Sequence, residues 1–290
     1  MTAMVEQLVV GIDGSPASAA AAEWAGREAS MRGAAVRMLN VWRAPTSNVQ
    51  FSPGPEGLRM WEETRAFDAA RQVEQDHPEV VATAEQVPGA PVQALVEAAG
   101  GSAMLVLGSR GAGALAGYVY GSVGLQVVAR CDRPVVLVRQ PDAGPGEEGA
   151  EVVLCVDLGR PCDALMTFAF EEAAARGAVL RVLHVWDLHR KYGYAVPAFS
   201  PQLKHQLHRE KAEELSSLLE PYRAGFDGVR VVEDLAEGSV TDGLVTTASA
   251  AGLLVVGRRR RRTPLGVRIG AVTHAVVHHA PCPVAVIAHD

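Results

Sequence analysis

The chain aligns with itself. Setting residue n beside residue n+144 brings Arg32-Gly33-Ala34 onto Arg176-Gly177-Ala178 and Leu39-Asn40-Val41-Trp42 onto Leu183-His184-Val185-Trp186. Asp13 falls on Asp157, each just past an apolar run. Further along the offset becomes n+149, where Gly108 meets Gly257, Gly121 meets Gly270 and Pro134-Val135 meets Pro283-Val284. The second copy therefore carries a net insertion of five residues between these anchors. Solenoid repeats run to about 20–50 residues, so a unit of this length is a whole domain. A chain of 290 residues holds two such domains. Residues 140–150 are rich in Pro, Gly, Asp and Glu and read as a solvated linker. The expected domains are 1–140 and 151–290.

Within each copy, β-type apolar runs alternate with helical stretches. In the first copy, strands are expected near residues 8–12, 36–41, 80–87, 104–107 and 135–138. Helices are expected near 18–31, 58–76, 91–99 and 122–130. Continuous Val, Leu and Ile runs suit strands covered on both faces. Ala-rich segments carrying Glu and Arg suit helices packed on a sheet. The alternation predicts an α/β fold: two tandem copies of a doubly wound, mostly parallel five-stranded sheet.

Composition removes several function classes. The net charge of −6 gives no overall electrostatic footprint for nucleic acid. No apolar stretch approaches the ~18 uncharged residues of a membrane span, and residues 1–7 lack the order of a signal peptide. Four cysteines without a CxxC pattern fit a reducing, cytoplasmic setting. Cys155 replaces Gly11 and Cys282 replaces Arg133 between the copies, which favours packing over a shared thiol function.

The chemistry-bearing segment is Gly108-Ser109-Arg110-Gly111-Ala112-Gly113, followed by Gly121-Ser122. It leaves the apolar run Met104-Leu105-Val106-Leu107 and leads into the expected fourth helix. Glycines let backbone N–H groups approach an anion, and a helix start adds donors and a favourable dipole. The pattern is not a Walker loop, because no Gly-x4-Gly-Lys-Ser/Thr occurs.

Together with Val10-Gly11-Ile12-Asp13-Gly14-Ser15 and Asn40-Val41-Trp42, this loop resembles that of the universal stress protein family in its tandem form. The resemblance covers nearly the whole chain. It implies a Rossmann-like fold of the adenine-nucleotide alpha-hydrolase type and an ATP-binding regulatory role in stress response. Carried over by position, Asp13 meets the adenosine moiety, with Gly11 permitting close backbone approach. The main chain at Val41 meets the adenine edge. Gly108, Ser109, Arg110, Gly111, Ala112 and Gly113 wrap the phosphates, and Gly121 and Ser122 donate to them. Mg²⁺ accompanies the phosphates. The resemblance also implies an internal pseudo-dimer through the last strand of each copy; a homodimer of whole chains is compatible with it but is not shown by the sequence.

Other readings of these residues stay open. Asp13 to Pro16 also serve as a turn and helix start, with Ser15 as cap and Pro16 in the first helical position. The glycine loop also serves as a plain connector. An interaction protein that binds no nucleotide is the second functional reading, and a slow ATPase the third. The sequence offers a phosphate cradle without a recognisable nucleophile and base, so dedicated catalysis is not expected.

The second copy departs from the pattern. The segment aligned with the loop is Gly257-Arg258-Arg259-Arg260-Arg261-Arg262, then Gly270-Ala271. Arg260 stands for Gly111 and Ala271 for Ser122. The expectation is a site that binds nucleotide weakly, differently or not at all, with the arginines either gripping phosphate, docking a partner or simply solvated. His274 and His278 lie four apart on the last helix without an acidic third ligand nearby, so no metal site is expected.

Overall fold

The computed structural model describes residues 6–42, 54–109, 122–139, 150–186, 201–260 and 269–290. The chain divides into two compact units, Met1–Ala143 and Gly144–Asp290.

The first unit runs β1 (Gln7–Gly11), α1 (Pro16–Arg32), β2 (Ala35–Trp42), α2 (Gly54–Asp76), β3 (Ala82–Pro88), α3 (Pro91–Ala99), β4 (Met104–Ser109), α4 (Ser122–Arg130) and β5 (Val135–Arg139). Its strands are all parallel, in the order β3-β2-β1-β4-β5. Chain order reverses between β1 and β4, which makes that boundary the topological switch point.

The second unit repeats the plan. It comprises β6 (Glu151–Cys155), α5 (Asp163–Arg176), β7 (Leu180–Trp186), α6 (Pro201–Gly225), β8 (Val231–Glu237), α7 (Val240–Ala248), β9 (Ala251–Arg259), α8 (Ala271–His279) and β10 (Val284–His289). Its order is β8-β7-β6-β9-β10, again parallel throughout.

The core of each sheet is its central apolar strand with the neighbours on either side. Leu8, Val9 and Val10 of β1 are fully buried, as are Leu105 and Val106 of β4. Val152, Leu154, Leu253, Leu254 and Val255 are their counterparts in the second unit. Burying each such side chain contributes about 1.5–3 kcal/mol.

Helix α1 packs on the sheet largely through small side chains. Ala17, Ala21, Ala22, Ala25 and Ala29 are all buried. It starts as the residues dictate. Ser15 caps it by accepting the Ser18 N–H, and Pro16 follows in the first turn. It stops at Gly33, whose φ of 62° is a left-handed conformation and whose N–H reaches the Ala29 and Ser30 carbonyls. Gly177 ends α5 in the same way with φ of 58°. The fully buried Glu28 receives Arg32 Nε at 2.5 Å, and the fully buried Glu172 receives Arg176 Nε at 3.2 Å. The repeat thus extends to the polar contacts of the core.

Candidate functional site

Strand β1 stops before its neighbours do. Gly11 pairs with Leu39 on β2 and with Leu107 on β4. Beyond that level β2 continues to Trp42 and β4 to Ser109. The end of β1 is thus recessed between β2 and β4, at the switch point whose crevice is where open α/β sheets place ligands.

The peptide edge of Val41 faces this crevice. In a parallel strand the N–H and C=O of one residue point to the same side, and the side alternates along the chain. The Leu39 carbonyl accepts Ile12 N–H at 2.9 Å, so it points towards β1. Val41, two residues on, points the same way, past the last residue of β1. Trp42 points to the other side, where its carbonyl accepts Gly89 N–H at 3.0 Å.

The loop leaving β1 is held from several directions. The Ser15 N–H donates to Asp13 Oδ1 at 2.9 Å, an Asx turn that leads into the cap of α1. The buried Asn40 donates from Nδ2 to the Ile12 carbonyl at 2.9 Å and accepts Gln86 Nε2 at 3.0 Å. Arg65 of α2 donates from Nη1 to the Asp13 carbonyl at 3.2 Å. Asp13 itself is exposed. The structure therefore supports the cap reading of residues 13–16 and leaves Asp13 an exposed residue beside the end of β1.

Two glycines have packing reasons of their own. A Cβ on Gly108 would lie 2.3 Å from both the carbonyl carbon and the carbonyl oxygen of Ala17, so only glycine lets β4 meet the first turn of α1. A Cβ on Gly11 would lie 2.6 Å from Leu107 Cδ2 and 3.1 Å from Leu95 Cδ2. Ser109 is buried, and its hydroxyl donates to the Val138 carbonyl at 3.3 Å. Ser122 opens α4. Arg110, Gly111, Ala112, Gly113 and Gly121 lie outside the described residues. The topology thus brings Gly11, Asp13, Val41, Gly108 and Ser109 to one end of the sheet. Asn40, Gln86 and Arg65 join them there, none of them among the expected site residues. The matched polar residues Asn40 and His184 inside apolar strands were a signal for the first. Nothing in the sequence pointed to the other two.

The second unit keeps the frame and changes the fittings. The Val156 N–H donates to the Leu183 carbonyl at 3.0 Å, as Ile12 does to Leu39. His184 Nδ1 meets the Val156 carbonyl at 3.0 Å, so that nitrogen carries the proton. Gly159 N–H donates to Asp157 Oδ1 at 3.1 Å, repeating the Asx turn. Cys155 stands where Gly11 stands in the first unit. Burial and the Asp157 carboxylate push its thiol up to about 12. Cys162 precedes α5 without a side-chain cap bond.

At the end of β9 the differences are larger. Arg258 and Arg259, expected in a loop, belong to the strand and pair with Ala288 and His289 of β10. Arg260 N–H continues the ladder to the His289 carbonyl at 2.5 Å. A row of arginines reads as a solvated loop, but the available partner strand takes up its backbone. The His289 ring stands against Gly257, and a Cβ there would lie 2.8 Å from Nε2. Thr273 Oγ1 donates to the Gly257 carbonyl at 2.8 Å. His274 and His278 lie side by side on α8, with ring centroids 4.2 Å apart and planes tilted by 31°. Among the described residues no group of three or more His, Cys, Asp or Glu side chains forms a metal cage. Among them, too, no helix is long and apolar enough to cross a membrane.

The family model described as the universal stress protein family matches this chain twice, over residues 4–139 and 150–288. The chain belongs to the universal stress protein family. Universal stress protein Rv2005c of Mycobacterium tuberculosis is 32% identical over 289 residues, covering 96% of each chain. Universal stress protein Rv1996 of the same organism is 30% identical over 305 residues, covering 96% of this chain and 94% of its own. A universal stress protein of known crystal structure from Archaeoglobus fulgidus superimposes with a TM-score of 0.77 at 18% identity, covering 98% of both chains. These matches place the tandem α/β plan in the family from end to end.

Proposed function

We propose that this universal stress protein is an ATP-binding regulatory switch whose nucleotide sits in the N-terminal domain. The carrying observation is the crevice over the end of β1. There Val41 presents a peptide edge, Asp13 lies exposed, and β4 leads out towards the glycine-rich sequence. A peptide edge suits an adenine edge, a carboxylate suits sugar hydroxyls, and a glycine-rich turn before a helix suits phosphates. Mg²⁺ would enter on the phosphate oxygens, because Asp13 Oδ1 already accepts Ser15 N–H. The switch itself is linkage: nucleotide favours whichever conformation or assembly binds it better.

The C-terminal domain is proposed not to hold nucleotide in this way. The His289 ring against Gly257 and the Thr273 bond to its carbonyl support that reading. Dimer formation by whole chains is a separate proposal, and sedimentation velocity reads it directly.

The test is ligand release. Purified protein is denatured and the supernatant assayed for adenine nucleotide by chromatography. Nucleotide released from the native sequence and lost in Asp13→Ala and Gly111→Val supports the proposal. Equal release from all three places the nucleotide elsewhere and refutes it.

A further inference from the structure

Two consecutive carbonyls follow β1, and side chains from two other elements hold them. Asn40 of β2 takes the Ile12 carbonyl at 2.9 Å, and Arg65 of α2 takes the Asp13 carbonyl at 3.2 Å. Gly14 comes next with φ of 73°, a conformation that favours glycine. The Arg65 side chain, from Cδ through Cζ to Nη1, fills the space that a Cβ on Gly14 would need. The guanidinium thus lies along bare backbone. On the other side, Asp13 Oδ1 accepts Ser15 N–H at 2.9 Å. The peptide between Asp13 and Gly14 is gripped from α2 and from its own turn.

The C-terminal domain is an internal comparison. Its first carbonyl, on Val156, is again held by a side chain from the neighbouring strand, His184. Its second, on Asp157, accepts the local Arg160 N–H at 2.8 Å. Among the described residues, the long second helix grips this peptide in the first domain, whereas in the second the equivalent carbonyl is held by a local N–H.

We infer, resting on the nucleotide reading above, that Arg65 is a positioning residue of the site. It fixes the Asp13–Gly14 peptide and so aims the Asp13 carboxylate at the adenosine moiety before ligand arrives. Arginine suits the task because its charge is permanent and its planar fork loses little freedom per bond formed. A site held in its bound shape binds more tightly because less ordering remains to be done on binding. Gly14 is part of the same device, since any side chain there would displace the guanidinium.

The experiment uses the full chain with Arg65→Ala and Arg65→Lys, reading amide hydrogen exchange and calorimetric titration with ATP and with adenosine. Arg65→Ala is expected to speed exchange at Ser15 by about tenfold while Ala25 and Ala29 within α1 stay protected. It is expected to weaken ATP and adenosine alike by about tenfold, the size of one charge-assisted hydrogen bond. Arg65→Lys keeps one donor within reach of the Asp13 carbonyl and recovers part of both effects. An arginine that merely decorates α2 moves neither. Unchanged exchange at Ser15 overturns the inference, and so does faster exchange with unchanged affinity. Loss of ATP binding with adenosine intact makes Arg65 a phosphate contact and also overturns it. If the native sequence binds no nucleotide, the underlying reading fails and the inferred role falls with it. Exchange at Ser15 then still reports whether Arg65 holds the loop.

Discussion

Asn40 donates from Nδ2 to the carbonyl of Ile12 at 2.9 Å, tying the end of β2 to the loop that leaves β1. His184 makes the equivalent bond to Val156 at 3.0 Å in the second domain. A buried carbonyl beyond the end of a strand has lost its ladder partner, and an inward polar side chain replaces it. Asparagine and histidine both reach, because each presents an N–H at a similar distance from the backbone.

Substituting this group separates shape from hydrogen bonding. Asn40→Leu leaves the Ile12 carbonyl and the Gln86 amide without their partner and is expected to cost about 2–4 kcal/mol. Asn40→His is expected to cost less than about 1.5 kcal/mol, since histidine does this work in the second domain. Native-state hydrogen exchange at Val9 and Val10 reads the loss within the first domain alone. Equal costs for the two variants would show that the bond to Ile12 does not hold the loop.

Glycines of the repeated motif differ in what they answer to. A Cβ on Gly108 would collide with the Ala17 backbone, whereas one on Gly270, whose φ is −65°, would meet nothing within 4 Å. Gly108→Ala is expected to destabilise by about 1–3 kcal/mol or more even without ligand. Gly270→Ala is expected to stay within about 0.5 kcal/mol of the native sequence, or to stabilise slightly through the unfolded chain. Urea denaturation checks both. A neutral Gly108→Ala contradicts the packing of β4 against α1.

Cys155, half-buried at the end of β6, is held as a neutral thiol. Its upward shift from 9.0 to about 12 leaves roughly a thousandfold less thiolate than an ordinary cysteine near pH 8.5. Iodoacetamide at that pH is expected to leave Cys155 unmodified in the native protein and to label it fully in urea, as peptide mass mapping reads. Because the native state favours the neutral form, its stabilising contribution is complete below about pH 9 and fades as pH climbs towards 12. Rapid native labelling at Cys155 contradicts the upward shift of its thiol.

Much of the fold is legible in the sequence because buried parallel strands are nearly pure Val, Leu and Ile. The run at Leu8, Val9 and Val10 carries no competing signal, and its copy at residue 152 onward repeats it. The site is legible in part. The matched Asp13 and Asp157 mark the loop after the first strand, but their shared Asx turn is visible only in three dimensions. Gly108 reads as a phosphate glycine, while its nearest constraint is the backbone of Ala17, far away in sequence. Arg65 is illegible because it sits on the polar side of a helix and meets Asp13 across 52 residues. The arginines at 258 and 259 mislead for the opposite reason. Their side chains suggest a loop, but their backbone is claimed by β10.

The central claim is one competent nucleotide site in a chain with two copies of the fold. Isothermal titration of the full chain with ATP and Mg²⁺ tests it most directly, with Asp13→Ala and Asp157→Ala run alongside. The expected result is one nucleotide per chain, lost in Asp13→Ala and kept in Asp157→Ala. Two nucleotides per chain, or one that survives Asp13→Ala and disappears in Asp157→Ala, would contradict the account.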